Sequence, residues 1–343
     1  MSHSQIPAIL GGPQVIADPP PHFQWPLIEN RDEAAIVRQL NTAVSVYGRQ
    51  GIIKEFEDSF LDYLNKTAVK KITYALATNN GTSALHAAYF GCGLGPGDEV
   101  IVPAYAFHAT ATPILHCNAV PVFCDVDPSN GNINIQDASS KITERTKAVV
   151  VTHLWGHPAE MDQISNLCNQ RGLYLIEDCS HAHGATYHGS QVGTFGDVAC
   201  FSLQGTKMLT AGEGGIVVTD NLEIYERANL LADSRSRPSE EIKTPKYRRL
   251  IPTGFGLKFR IHPLGAALVC EQLKRLDQWI AWRKAQLEYL TDGLREIESI
   301  ETPSTSADVT RGAFFGYECL FSGDLTIRER ELYIAALRAE GLE

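Results

Sequence analysis

The sequence lacks the features that mark secreted, membrane-spanning or disulfide-linked proteins. No apolar run approaches the roughly 18 residues that a membrane helix needs. The N-terminal stretch MSHSQIPAILGGPQ has neither the basic flank nor the apolar run of a secretion signal. The eight cysteines form no Cys-x-x-Cys pair, and several lie in apolar runs such as VFCDV and VACFS. We therefore expect free, buried thiols in a cytoplasmic protein.

An excess of positive charge is also absent. The 343 residues carry a formal net charge of -10, and the pI is about 5.6. Nucleic acids and anionic membranes repel such an acidic protein, so we exclude both as main partners. The composition is 44% hydrophobic and 20% charged, which is ordinary for a globular protein with a substantial core.

Strand-like and helix-like patterns alternate along most of the chain. Amphipathic helices are predicted at EAAIVRQLNTAV and EFEDSFLDYLNK. This alternation predicts a three-layer α/β/α fold around a mostly parallel seven-stranded sheet. The seven predicted strands are YALAT (74–78), DEVIVP (98–103), VPVFCDV (120–126), KAVVVTHL (147–154), GLYLIED (172–178), DVACFSL (197–203) and GGIVVTD (214–220).

Changes of pattern divide the chain into three parts. The proline-rich residues 1–30 predict an extended arm, and residues 31–250 form the large α/β domain. Residues 251–343 are assigned to a smaller C-terminal α+β domain, which we expect to be incomplete because the chain stops just after a predicted helix. Residues 234–262 are polar and basic and predict a loop, and 263–294 predict a helical stretch.

Three chemically distinctive groups follow predicted strands, where the ligands of open α/β sheets bind. In NNGTSALHAAY, free N–H groups and hydroxyls at a helix start can hold a phosphate, although Thr82 or Ser83 could simply cap the helix. In PAYAFHATA, Phe107 could stack on a flat ligand or belong to the core. Asp178 ends an apolar strand in LIEDCSHAHG, where a buried carboxylate needs a partner; a helix cap or a metal ligand is the alternative.

The fourth group is Lys207, the single lysine of FSLQGTKMLTAGEGG. Small residues surround it, among them Ser202 and several glycines, and such a turn lets a ligand approach the amine closely. A phosphate cradle, an aromatic face, a strand-end carboxylate and an accessible amine together suit a pyridine aldehyde phosphate. The lysine would form an imine with the aldehyde, and the aspartate would keep the ring nitrogen protonated.

Histidines raise a competing interpretation, a metal-dependent hydrolase. His153 and His157 in HLWGH, and His181 and His183 in HAH, are closely spaced as metal ligands often are. The first pair follows a strand and the segment contains glycine and proline, so no helix holds that spacing. Residues two apart in HAH would point to opposite sides if extended. We predict no metal site, and we interpret His183 as a structural histidine with satisfied hydrogen bonds.

The order of these motifs resembles the DegT/StrS family of pyridoxal-phosphate aminotransferases, which have the aspartate-aminotransferase fold. The resemblance runs from GGPQV to RAEGLE and includes NNGTSAL, GDEVIVPAYAFHATA, PVFCDVD, EDCSHAHGA and GTFGDVACFSLQGTKMLTAGEGGIVVTD. It implies that Lys207 is the Schiff-base lysine and Asp178 the partner of the pyridine nitrogen, within a cofactor-binding domain at 31–250. It also implies ring stacking by Phe107 and a hydrogen bond from His181 to the phenolic oxygen. The remaining implied cofactor ligands are Gly81, Thr82, Ser83 and Ser202.

One departure from the family lies in GLKFR at 256–260. Many members have Gly-x-Asn-x-Arg here, and the asparagine reaches the cofactor phosphate of the neighbouring subunit; Lys258 stands in its place. A cation can serve a phosphate as an amide does. The resemblance thus implies a homodimer with shared active sites, and we expect the basic 234–262 loop to face an anionic target. Its cations include Arg235, Arg237, Arg248, Arg249, Lys258 and Arg260.

The resemblance further implies the substrates. These are L-glutamate or L-glutamine as amino donor and a keto-sugar or ketocyclitol as acceptor, in amino-sugar or aminocyclitol biosynthesis. Two alternatives are a sugar dehydratase of the same family, in which a histidine replaces the lysine, and a catalytically silent regulatory protein. Lys207 argues against the first, and Lys207 together with Asp178 argues against the second.

Overall fold

The structure is a computed structural model that describes most of the chain. Of the sequence predictions, Arg235 and part of the N-terminal arm lie outside the described residues. The described residues are 6–16, 25–234, 236–253, 256–305, 308–312, 314–323 and 325–342.

A seven-stranded sheet organises the fold, and its strands lie in the order β1-β9-β8-β5-β4-β2-β3 once all strands are numbered along the chain. In chain order the strands are β1 (Tyr74–Thr78), β2 (Glu99–Pro103), β3 (Val120–Cys124), β4 (Thr146–Thr152), β5 (Tyr174–Asp178), β6 (Thr186–Tyr187), β7 (Ser190–Gln191), β8 (Val198–Ser202), β9 (Gly215–Thr219), β10 (Ile300–Glu301), β11 (Val309–Thr310) and β12 (Leu320–Phe321). Within the sheet only β9 runs antiparallel to its neighbours, β1 and β8. The seven predicted strands and the mostly parallel sheet are confirmed.

Helices precede β1, connect the successive strands from β1 to β5, and follow β9 and β12. In chain order they are α1 (Asn30–Thr42), α2 (Gly51–Leu64), α3 (Gly81–Gly91), α4 (Thr112–His116), α5 (Ile135–Ser140), α6 (Met161–Arg171), α7 (Leu222–Ala232), α8 (Ser236–Glu241), α9 (Pro245–Arg248), α10 (Pro263–Leu273), α11 (Leu276–Leu294) and α12 (Ile327–Ala339). The two predicted amphipathic helices are α1 and α2, and the helical stretch at 263–294 forms α10 and α11. None of the helices described here combines the length and the apolar character needed to cross a bilayer.

Apart from the edge strand β3, which is partly exposed, the sheet is buried on both faces, which explains why its strands are almost continuously apolar. Along β4, Val150 belongs to one hydrophobic core and Val149 to the other, because successive side chains of a strand point to opposite faces. The first core also contains residues of α3, α4 and α7, and the second contains residues of α5 and α6. These two cores produce the three-layer arrangement.

The chain divides into two compact units. The larger comprises the described parts of Glu29–Glu288 and Ser304–Tyr317, and it contains the central sheet. The smaller comprises the described parts of Met1–Ile28, Tyr289–Pro303 and Glu318–Glu343, and it contains β10, β12 and α12. These divisions differ from the expected limits at 30 and 250, so the assignment of a cofactor-binding domain to 31–250 stays a prediction.

The predicted basic loop at 234–262 is wrong in part, because α8 and α9 lie within it. Arg237 of α8 is only 2% exposed. Its Nη1 and Nη2 donate to the two carboxylate oxygens of Glu57 at 2.7 and 2.9 Å, and its Nε donates to Glu241 at 2.7 Å. The basic composition of this segment predicted cations that face an anionic target. Instead, Glu57 of α2 neutralises Arg237 inside the protein, and the sequence gives no sign of this pair because the two residues are 180 positions apart.

Candidate active site

A cavity of about 780 Å³ opens at the carboxyl ends of the central strands, within the larger unit. Three of its lining residues end their strands: Thr152 of β4, Asp178 of β5 and Ser202 of β8. This is the position at which open α/β sheets bind ligands. The other lining residues are Asn80, Gly81, Thr82, Leu85, Tyr105, Ala106, Phe107, Ala109, Leu154, Trp155, Ser180, His181, Gln204, Thr206, Lys207, Glu213 and Phe315.

Lys207 lies in the turn after β8 and lines the cavity. Burial lowers the pKa of Lys207 to about 8, although attraction to Asp178 opposes this change. A lysine desolvated in this way has a larger neutral fraction at neutral pH, and the neutral amine is the nucleophile and the base. Its Nζ lies 3.7 Å from the centre of the Phe315 ring, where the aromatic face attracts the ammonium form.

Asp178 supplies a buried carboxylate to the cavity, with only 4% of the residue exposed. Thr110 Oγ1 donates to its Oδ2 at 2.7 Å, and the Ser180 backbone N–H donates to its Oδ1 at 3.1 Å. These bonds fix the orientation of the carboxylate. A buried carboxylate is costly without a cationic partner, so this position suits a ligand that carries a protonated nitrogen.

The N-terminus of α3 forms a third part of the cavity. Asn80 is its N-cap, with Oδ1 accepting from the Ser83 N–H at 2.7 Å, so neither Thr82 nor Ser83 caps the helix. A Cβ at Gly81 would lie 2.9 Å from Ser202 Cβ. The missing side chain therefore brings the helix N-terminus against the Ser202 hydroxyl. Gly81, Thr82 and Ser202 line the cavity, whereas Ser83 is buried beside it.

Phe107 and Lys258 are both exposed, and only the first lines the cavity. Phe107 is 61% exposed, so it is not a core residue and its ring is open to a ligand. Lys258 is exposed, has a left-handed φ of 56° and does not line the cavity of its own chain. Next to it, the Phe259 carbonyl accepts from the Asn79 N–H, which fastens this segment near the end of β1.

His181 lines the cavity inside an aromatic stack. Its ring centre lies 4.2 Å from that of Phe315 and 5.3 Å from that of Trp155, with the ring planes within 20° of parallel. Burial and, to a smaller extent, the nearby Lys207 lower the pKa of His181 to about 4, although Asp178 partly opposes the change. The imidazole is therefore neutral at physiological pH.

One buried cluster has the composition of a metal site: His153, Glu177 and Cys179. The ring nitrogens of His153 and the carboxylate oxygens of Glu177 are already occupied by the protein. His153 Nδ1 accepts from the Ala159 N–H at 3.1 Å, and its Nε2 lies 3.1 Å from Glu177 Oε2. Glu177 also accepts three backbone N–H groups from 193–196. We interpret the cluster as a structural network that fixes the segment after β4.

The structure agrees with the interpretation of His183 as a structural histidine but not with the expectation that its hydrogen bonds are satisfied. The residue is 1% exposed, and neither ring nitrogen has a hydrogen-bond partner among the described residues. Burial, with the nearby Lys207 and His181, lowers the pKa of His183 to about 3. The ring is therefore neutral, and it packs beside Phe201 with 5.6 Å between ring centres.

Sequence reasoning missed three residues that shape this site: Thr110, Trp155 and Phe315. Thr110 orients Asp178, Trp155 stacks on His181, and Phe315 packs against both His181 and Lys207. Phe315 lies more than a hundred residues beyond Lys207 in the chain, so no local pattern links the two. For Thr110, proximity to Phe107 in PAYAFHATA was the one available signal.

Comparison with known proteins gives consistent results along nearly the whole chain. The sequence pattern of the DegT/DnrJ/EryC1/StrS aminotransferase family matches residues 27–343. The chain is 34% identical over 340 residues to the L-glutamine:scyllo-inosose aminotransferase of Streptomyces griseus, covering 97% of this chain and 78% of that protein. It is 33% identical over 319 residues to the GDP-perosamine synthase of Caulobacter vibrioides, covering 93% and 81%. The solved structure of 3-amino-5-hydroxybenzoic acid synthase matches with a TM-score of 0.81 at 31% identity, covering 93% and 80%.

The aminotransferases of this family depend on pyridoxal phosphate, and the cavity fits that cofactor. The buried carboxylate of Asp178 suits a protonated ring nitrogen, and the N-terminus of α3 beside Ser202 suits a phosphate. The Thr152 hydroxyl is buried at the cavity and has no hydrogen-bond partner among the described residues, so a ligand can satisfy it. Lys207 places an amine in the same cavity. The family match shows that the chain belongs to the DegT/DnrJ/EryC1/StrS aminotransferase family and is a pyridoxal-phosphate-dependent aminotransferase.

Proposed function

We propose that this enzyme transfers an amino group from L-glutamate or L-glutamine to a keto-sugar or ketocyclitol. The observation that carries the proposal is the pairing, in one cavity, of an amine with a depressed pKa and a buried carboxylate, Lys207 and Asp178. The names of two similar proteins, a scyllo-inosose aminotransferase and a GDP-perosamine synthase, support this acceptor class. The product would be an amino sugar or an aminocyclitol.

The roles of the side chains follow from their chemistry. When bound, pyridoxal phosphate supplies an aldehyde for the donor's amine and a ring that withdraws electrons from the carbon bearing it. The Lys207 Nζ takes the proton from the donor's α-carbon, and in the second half-reaction it delivers a proton to the former carbonyl carbon of the acceptor. Asp178 holds the proton on the pyridine nitrogen. Donor and acceptor occupy the same cavity in turn, and the first product leaves before the acceptor binds, so the kinetics are ping-pong.

The remaining assigned residues hold the cofactor. Phe107 stacks on the ring, and its exposure at the cavity supports that role. His181 donates a hydrogen bond to the phenolic oxygen. The phosphate lies at the N-terminus of α3, where we assign Gly81, Thr82, Ser83 and Ser202; for Ser83 the support is weakest, because its N–H already bonds Asn80.

We further propose a homodimer in which Lys258 reaches the cofactor phosphate of the neighbouring subunit. Two properties support this role: Lys258 is exposed, and it does not line the cavity of its own chain. Unlike Arg237, it is not drawn into the buried ion pairs with Glu57. A cytoplasmic location is also proposed, because seven of the eight cysteines are buried and all are free thiols.

The central test replaces Lys207. We expect Lys207→Ala to lose covalent attachment of the cofactor and to reduce turnover by about 100- to 10,000-fold or more, because no other amine among the described residues lines the cavity. Borohydride reduction of the wild-type holoenzyme followed by peptide mapping should place the label on Lys207. Lys258→Ala is the matched control and should keep the label; a label on Lys258 would refute the assignment.

The acceptor is tested with the pyridoxamine form of the enzyme. A panel of keto-sugars, nucleotide-linked keto-sugars and ketocyclitols is added, and the return of the pyridoxal form is followed by absorbance. We expect rapid return with at least one of these ring ketones and slow return with simple aliphatic ketones. Equal rates across the panel would contradict a sugar or cyclitol acceptor.

A further inference from the structure

Trp155 has an unusual backbone conformation beside the cavity. Its φ and ψ are 52° and 21°, in the left-handed region that residues other than glycine seldom adopt, because Cβ crowds the carbonyl oxygen. The turn is fixed on both sides: the Leu154 N–H donates to Asn132 Oδ1 at 3.0 Å, and the His157 N–H donates to the Leu154 carbonyl at 2.8 Å. Such a conformation persists only where the surroundings hold it, and it often serves a site.

The Trp155 side chain adds to this constraint. Its indole lies almost parallel to the rings of His181 and Phe315, and a Cβ at Gly316 would lie 2.2 Å from its ring. Gly156, at φ 87°, lies so close to Arg311 that a Cβ there would be 2.5 Å from that residue's carbonyl oxygen. Backbone and indole are therefore both held in one position.

The result of this conformation is a hydrogen bond to His181. The backbone N–H of Trp155 donates to His181 Nδ1 at 3.4 Å. A ring nitrogen that accepts carries no hydrogen, so in the neutral imidazole the hydrogen is on Nε2. Burial is the main factor that disfavours protonation of this ring; the nearby Lys207 also disfavours it, and Asp178 favours it. In the part of the chain that the structure describes, Nε2 has no protein partner.

We infer that Trp155 is a positioning residue: its left-handed backbone N–H fixes His181 as the neutral Nε2–H tautomer, which then presents a single donor to an anionic oxygen of the ligand. The opposite tautomer would present a lone pair and repel that oxygen. The inference rests on the proposed function only for the identity of the oxygen, the phenolic oxygen of pyridoxal phosphate. It also explains why the backbone of the HLWGH segment adopts a left-handed conformation at Trp155.

The first test measures the tautomer directly, in cofactor-free protein labelled with ¹⁵N-histidine near neutral pH. Two-bond ¹⁵N–¹H NMR correlations distinguish the two neutral tautomers and the cation, and the signals of His181 are those that disappear in His181→Gln. We expect a neutral ring with its hydrogen on Nε2. A hydrogen on Nδ1, a mixture of tautomers or a cation overturns the inference. Because no cofactor and no turnover are involved, a failure of the proposed function does not affect this result.

The second test separates the backbone of Trp155 from its indole. Trp155→Asn and Trp155→Val both remove the indole, but asparagine tolerates the left-handed region and valine does not. We expect His181 to keep the Nε2–H tautomer in Trp155→Asn and to become a mixture in Trp155→Val, with the His153 signals as an internal check on folding. The same tautomer state in both variants overturns the role of the backbone. If Trp155→Val does not fold, the result for Trp155→Asn decides alone. Loss of the Nε2–H tautomer in that variant then overturns the role of the backbone.

The third test measures cofactor affinity. In His181→Gln the side-chain oxygen can accept from the Trp155 N–H while the amide donates to the ligand, whereas His181→Leu offers neither group. We expect the dissociation constant of pyridoxal phosphate to be about 10- to 100-fold higher in His181→Leu than in His181→Gln, the range for a hydrogen bond to a charged group. Equal affinities would show that the donor contributes nothing, and would overturn its proposed purpose.

Discussion

At the scale of single residues, the chemistry of the cavity depends on two charged groups, Lys207 and Asp178, that are buried near one another. Lys207 loses hydration, which favours its neutral form, while the carboxylate of Asp178 favours its cationic form. The balance leaves the pKa of the amine at about 8 instead of the ordinary 10.5. Thr110 acts on the other member of the pair by orienting the carboxylate. Both effects can be measured.

The depressed pKa of Lys207 predicts the pH dependence of cofactor uptake. The protonated amine has no lone pair for the aldehyde, so the rate of cofactor uptake by the cofactor-free enzyme should rise with pH, with a midpoint near 8, and then level off. Stopped-flow absorbance measures the rate. Asp178→Asn removes an attraction that raises this pKa, so its midpoint should lie at lower pH. A wild-type midpoint near 10.5 would contradict the burial argument.

Thr110 is expected to contribute through its hydroxyl. Thr110→Val keeps the shape of the side chain and removes the donor that lies 2.7 Å from Asp178. We expect kcat to fall about 10- to 100-fold, as for a lost hydrogen bond to a charged group, with little change in the melting temperature. Thr112→Val is the control, because that hydroxyl bonds the His108 carbonyl. Similar kcat values for the two variants would rule out a special role for Thr110.

At the scale of elements, a buried ion-pair network joins α8 to α2 and β1. Glu57 of α2 accepts from Arg237 and Arg49 and also from the backbone N–H of Ala77 in β1. Arg237 donates in addition to the Ala75 carbonyl of β1. The network therefore adds buried charge contacts to the apolar packing of α2 and β1 and attaches α8 to both. Its removal should affect stability more than chemistry, since none of its members lines the cavity.

We expect Arg237→Met to lower the free energy of unfolding by about 3 kcal/mol or more, because it leaves the buried Glu57 carboxylate with fewer counter-charges. The midpoint and slope of urea unfolding measure this change. Arg249→Met, at an exposed position in the same segment, should change the stability by less than about 0.5 kcal/mol. Equal effects of the two variants would indicate that the network is not a stabilising contact.

At the scale of the whole molecule, the proposed homodimer places one cofactor between two chains. A two-fold dimer repeats the contact of Lys258 with the neighbouring site and gives two equivalent active sites. If Lys258 comes from the opposite chain, a dimer that mixes two different variants can regain an intact site, whereas a monomer cannot.

Mixing two inactive variants tests the shared site. Lys207→Ala lacks the amine, and Lys258→Ala lacks the cation for the partner's phosphate. In a mixed dimer one site combines Lys207 from one chain with Lys258 from the other, so we expect activity to return after subunit exchange, to at most half that of the wild type per mixed dimer. Sedimentation confirms the assembly state. No recovery despite exchange and a clearly impaired Lys258→Ala, or a fully active monomer, would refute sharing.

The sequence by itself determined the central sheet and the groups at its edge. The seven apolar runs are confirmed as strands, because a parallel sheet buried on both faces needs continuous apolar segments. Lys207, Asp178, Gly81 and Ser202 follow or end such strands, so strand prediction alone brought them to one edge. The order of residues along the chain was sufficient for this prediction, because each of the four residues is positioned by the strand that it ends or follows.

Only the tertiary structure decided which distant residues complete the site. Arg237 was expected to belong to a basic loop that faces an anionic target, and it is instead buried against Glu57, 180 positions earlier in the chain. Phe315 packs on Lys207, and Trp155 bonds His181 through its backbone, although none of these pairs has a sequence signal. The periodicity of apolar residues along a segment predicts which face of its own helix or strand each side chain occupies. Its partners depend on which elements pack together, and that is determined by the free energy of the whole fold.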